Sequence, residues 1–131
     1  MSRTLSGNEC TKLFDALQAE LSWEWDSRFE TALAQIAVKE KNIVGKTLEN
    51  HLGTAWDSVT IYSAPERVHR VIARLGGIME GQLFYAAGLS QDGIVFCAWW
   101  PWGNGQTISV RLGTSQESLS LLATLASLDA R

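Results

Sequence analysis

The chain has 131 residues, 46% hydrophobic and 19% charged, with a formal net charge of −3 and a pI of about 5.3. That length and balance fit one globular domain over residues 1–131 and exclude a disordered chain or a disulfide-framed miniprotein. The acidic total gives no global drive toward nucleic acid or an acidic membrane, and no apolar run is long enough to span a bilayer.

Residues 1–7 contain no apolar stretch of the kind that opens a secretory signal, so a cytoplasmic location is expected. Four capping-box patterns then punctuate the chain: Ser6/Glu9, Ser27/Glu30, Ser63/Glu66 and Thr114/Glu117. The first introduces a helix over residues 8–22 with Leu13, Phe14, Leu17 and Leu21 on one face. A connector carrying Trp23, Glu24, Trp25 and Asp26 leads to a second helix over 28–41, with Phe29, Leu33, Ile36 and Ala37 as its stripe. A third spans 44–52 and stops at Gly53. Residues 58–62 read as a short strand by alternation, and residues 64–75 as a helix with Pro65 in its first turn.

Gly76 and Gly77 end that helix, and three strands follow over 82–87, 93–101 and 106–112. A leucine-rich helix over 115–129 closes the order α-α-α-β-α-β-β-β-α. The expected class is α+β in two layers, a mostly antiparallel sheet covered on one face by helices.

Three of the six tryptophans, Trp99, Trp100 and Trp102, stand within four residues, just before Asn104-Gly105. If these two form a type I′ turn, Gly103 pairs with Gln106 and the register follows by counting outward. Pro101/Ile108, Trp99/Val110 and Cys97/Leu112 then share an apolar face. Trp102/Thr107, Trp100/Ser109 and Ala98/Arg111 share the opposite one. Pro101 would fall at a hydrogen-bonded pair, so a bulge or a longer loop is expected nearby. On this register Trp100 and Trp102, with the Arg111 guanidinium alongside, form a surface suited to a protein partner or a second copy of the chain.

A second function class is a pocket that binds or transforms a small molecule, lined by Trp23, Trp25, Trp56 and the residues over 99–102. A third is a helix-turn-helix through residues 28–52, which the mixed local charge and acidic total disfavour. Arg67, Arg70 and Arg74 follow helical spacing and could meet an anion or an acidic partner, although such a stripe also describes the solvated side of an amphipathic helix. His51 and His69 lie on different elements, and Cys10 and Cys97 belong to no C-x-x-C pair. No nucleophile, metal or phosphate-loop motif is present, so neither catalytic residues, a metal nor a cofactor is expected. The leading expectation is a non-catalytic protein-binding module: an adaptor, inhibitor, chaperone-like or regulatory domain.

Overall fold

The computed structural model describes residues 4–89 and 93–115. In chain order the elements are β1 (Thr4–Leu5), α1 (Gly7–Glu20), β2 (Glu24–Asp26), β3 (Thr31–Ala37), α2 (Lys41–Leu52), α3 (Glu66–Leu75), β4 (Leu83–Leu89), β5 (Ile94–Pro101) and β6 (Thr107–Thr114). The strands form a six-stranded sheet in the order β1-β4-β5-β6-β3-β2, antiparallel except for the β1–β4 pair. This is an α+β fold with a mostly antiparallel sheet, as the residue pattern predicts.

α1 begins where the capping box at Ser6 forms: Ser6 Oγ accepts from the Glu9 N–H at 3.2 Å, and the Ser6 N–H donates to Glu9 Oε1 at 3.0 Å. The other patterns are put to different use. Ser63 Oγ donates to the Thr60 carbonyl, and Pro65 takes the N-cap position of α3. Thr114 belongs to β6, while Glu117 lies outside the described residues, as does the helix expected over 115–129 except for Ser115, whose N–H continues the pairing by donating to Ile94.

The largest departure from expectation is residues 28–41, predicted as a helix and found as β3 followed by a short 3₁₀ turn, Val38–Glu40. Two periods compete there. Phe29, Leu33, Ile36 and Ala37 fit a helix, but Ala32, Ala34 and Ile36 also alternate with Leu33 and Gln35. The period of two prevails because β3 finds a ladder on each side, with β2 and with β6. At Ser27/Glu30, Asp26 Oδ1 accepts from the Arg28 N–H at 2.9 Å, and Glu30 takes a positive φ of 54°, which closes a turn. With a strand in place of its first helix, the segment 28–52 does not form a helix-turn-helix.

Residues 58–62, predicted as a strand, form the 3₁₀ turn Thr60–Ser63 instead. Asp57 Oδ1 accepts from the Val59 and Thr60 N–H groups, each at 2.8 Å, and this local bonding bends the backbone away from an extended form.

The helices lie on both faces of the sheet, correcting the expectation of one covered face. α1 and α2 pack Leu13, Phe14, Leu17, Val44 and Leu48 against one face, among Ala32, Ala34, Tyr85, Cys97, Trp99 and Val110. α3 packs Val68, Val71, Ile72 and Leu75 against Phe84, Ala86, Phe96 and Ala98 on the other. β4 and β5 are therefore apolar on successive residues, as strands buried on both sides must be. Among the described residues no helix is long and apolar enough to cross a membrane.

Candidate functional site

The β5–β6 hairpin has the register that parity predicts, with Cys97 opposite Leu112, Ala98 opposite Arg111, Trp99 opposite Val110, Trp100 opposite Ser109 and Pro101 opposite Ile108. The turn differs. A type I′ turn needs left-handed backbone at both central residues, and here Gly105 has a φ of 70° while Asn104 does not have a positive φ. Asn104 instead points Oδ1 back at the Gln106 and Thr107 N–H groups, at 2.8 and 3.1 Å, holding a wider loop. The Trp102 N–H donates to the Thr107 carbonyl, so hydrogen-bonded positions alternate away from Pro101, and the proline needs no bulge.

Trp99 and Trp100 consequently point to opposite faces. Trp99 is buried in the core beneath α1 and α2, whereas Trp100 is half-buried at the margin of the α3 core. Trp102, at 43% exposure, donates its indole N–H to Ser109 Oγ at 2.8 Å. Strand pairing lays the neighbours of these indoles out in rows across the outer face. One row runs Glu24, Leu33, Arg111, Ala98; the next runs Gln35, Ser109, Trp100; the last pairs Ala37 with Thr107. Leu33 and Ser109 are half-buried and Gln35 is exposed. α3 covers the β4–β5 half of this face; in the β6–β3 half Thr31, Arg111 and Gly113 are buried, and exposure rises toward Gln35, Ser109 and Trp102.

Arg111, predicted as a binding group, is committed to the fold. It is only 9% exposed, and its Nη1 pairs with Asp26 Oδ2 at 2.7 Å and donates to Thr31 Oγ1 at 3.2 Å. Its guanidinium lies 4.8 Å from the Phe29 ring centroid and 5.1 Å from that of Trp100. The bond from Arg111, more than any other cause, holds the Asp26 carboxyl below its ordinary range. Arg111 therefore acts as a bracket that ties Trp100 to the β2–β3 turn. Comparison with protein families, curated proteins and solved structures found no match.

The remaining tryptophans divide between the two faces of the sheet. Trp23 is buried and donates its indole N–H to the Leu17 carbonyl at 3.1 Å, and Trp25 packs against the same α1/α2 core. Trp56 is on the α3 side, joined to Phe84 by backbone bonds of 2.9 and 2.8 Å. Of the arginines on α3, Arg70 is exposed, while Arg67 is laid over Gly88 and directs Nη1 toward the Gly93 carbonyl at 3.5 Å. Arg74 is half-buried, with Nε and Nη2 shielded.

A second concavity, missed by the residue pattern, opens on the opposite side of the sheet. A cleft of about 570 Å³ lies between α2 and β4–β5, bordered by Lys41, Gly45, Lys46, Glu49, Tyr85 and Trp99. The signal that could have found it is Gly45, a glycine in a helix interior where alanine is favoured. No group of three His, Cys, Asp or Glu among the described residues could hold a metal ion.

Both thiols, Cys10 and Cys97, are free and fully buried, and burial pushes each thiol up from its ordinary range. Ellman's reagent should therefore label neither in the native protein and both after unfolding in guanidinium. Rapid labelling of Cys97 under native conditions would show that the sheet opens locally around it.

Proposed function

We propose that this chain is a non-catalytic binding module whose outer sheet face, around Trp100 and Trp102, docks another protein. The observation that carries the reading is the exposed Trp102 indole beside half-buried Trp100 on the part of the sheet that α3 leaves uncovered. Indoles offer a large rigid contact area at low rotamer cost, and the exposed Gln35 amide and the Ser109 and Thr107 hydroxyls supply a polar surround. The partner that fits is a polypeptide presenting an apolar surface, in an adaptor, inhibitor, chaperone-like or regulatory arrangement. A cytoplasmic setting belongs to the same proposal and is supported by the two reduced, buried thiols.

The test pairs Trp102→Ala with Gln35→Lys, since both side chains are exposed and neither belongs to the cores. Each variant should unfold within about 1 kcal/mol of the parent, while affinity capture of the partner from the source lysate should be lost. Light scattering on an eluting peak shows whether a second copy takes the partner's place. Capture of the same protein by the doubly substituted chain would remove the outer face as the docking surface.

A further inference from the structure

The cleft between α2 and β4–β5 has properties that packing does not require. Tyr85 is only 4% exposed, yet its hydroxyl makes no hydrogen bond to a described residue. Unlike the Arg74 and Arg111 nitrogens, this hydroxyl is not sealed from solvent, so water in the cleft reaches it and an acceptor on a ligand can take that water's place. It ends at the cleft: a Cβ added to Gly45, which borders the opening, would lie 3.8 Å from it and 3.8 Å from the Trp99 Cη2 atom. Burial holds the phenol neutral, pushing Tyr85 up to about 12, so it is a hydrogen-bond donor at any physiological pH.

The rim adds charge. Lys41 and Lys46 are exposed and neither makes an ion pair with a described residue. They stand on the first turns of α2, whose N-cap residue, Glu40, makes no side-chain capping bond. The 3₁₀ turn Val38–Glu40 runs directly into α2 and takes up the Lys41 N–H, so the positive charge at the rim is that of the two ammonium groups. Glu49, two turns further along, marks the other end as unfavourable to a second negative group. The floor is apolar, made by Leu83 and the edge of Trp99, directly paired across β4 and β5.

We propose that this cleft binds a small organic molecule with a flat apolar body and one anionic group. The apolar body lies on Leu83 and the Trp99 edge, Tyr85 donates to an acceptor on the ligand, and the carboxylate or phosphate sits between Lys41 and Lys46. Gly45 is the residue that keeps the floor open. The site is on the α1/α2 side of the sheet, so it stands or falls independently of protein docking on the outer face.

Titration calorimetry with benzoate, phenyl phosphate, inorganic phosphate and benzamide on the full chain tests this. At least one aromatic anion should bind ten times more tightly than both inorganic phosphate and benzamide, and whether benzoate or phenyl phosphate does so separates the carboxylate from the phosphate source. Tyr85→Phe should weaken that probe about fivefold, and Lys41→Ala/Lys46→Ala about tenfold. Gly45→Ala separates binding from folding: the added Cβ meets only ordinary contacts and improves helix propensity, so Tm should rise while affinity falls tenfold. The proposal is overturned if neither aromatic anion exceeds phosphate and benzamide, or if Gly45→Ala and Tyr85→Phe retain parental affinity.

Discussion

Asp26→Ala should destabilise the fold by about 2 kcal/mol, between the costs of breaking an exposed and a buried ion pair, because the Arg111 end is shielded while the Asp26 side chain keeps 23% of its surface in water. The substitution leaves Arg111 shielded with Thr31 as its polar partner, and the Nε of Arg111 already lacks one. It also removes the acceptor that closes the β2–β3 turn at Arg28. Arg111→Met in the same chain should recover much of the loss, since a flexible thioether can lie against Phe29 and Trp100 without a charge to satisfy. The pH dependence has a defined sign. The folded carboxyl titrates below its ordinary value of 3.8, so its stabilisation is complete above that value and is lost as pH falls through the folded one. The gap in urea midpoint between parent and Asp26→Ala should be full at neutral pH and narrow progressively below 3.8. A gap that stays constant in acid would mean that the turn, not the ion pair, carries the effect.

A larger loss, about 3 kcal/mol or more, is expected for Gly113→Ala. A Cβ at this position would come within 2.9 Å of both Phe96 Cε2 and Thr31 Cγ2 and within 2.5 Å of Phe96 Cζ. Neither neighbour can yield easily: both are fully buried, and the Phe96 ring is stacked on Phe84 with centroids 5.3 Å apart. Gly88→Ala is the informative contrast. Its Cβ meets the guanidinium of Arg67, the far end of a long side chain that can swing aside, so its cost should be about 1 kcal/mol. Denaturant melts of the two variants would order them; near-equal midpoints would mean that the Phe96 ring is not held as the packing indicates.

The hairpin was legible because strand parity depends only on which residues are paired. Asn104 held the turn with its side chain rather than its backbone, yet Trp99 still met Val110 and Trp100 still met Ser109. The helix–strand ambiguity at residues 31–37 could not be resolved locally, since the β6 partners, Leu112 to Thr107, lie seventy to eighty residues away. That α3 covers the second face was in principle readable from the uninterrupted apolar run over 94–100, which a strand with one wet face does not need. Arg111 looked available because its sequence neighbours say nothing of Asp26, 85 residues earlier. The α2 cleft was hidden for a related reason: its lysines and glycine share one helix, but they meet Tyr85 and Trp99 only through tertiary packing.

Among the described residues the sheet ends in a two-residue β1 on one side and a three-residue β2 on the other, with Trp56 bridged to Phe84 further along the same edge as β1. Such borders offer little template for an incoming strand. An edge renews itself with each strand added, whereas a face is consumed by its first contact. Two copies meeting tryptophan face to tryptophan face, if the proposed surface docks its like, would therefore close as a pair rather than grow into filaments.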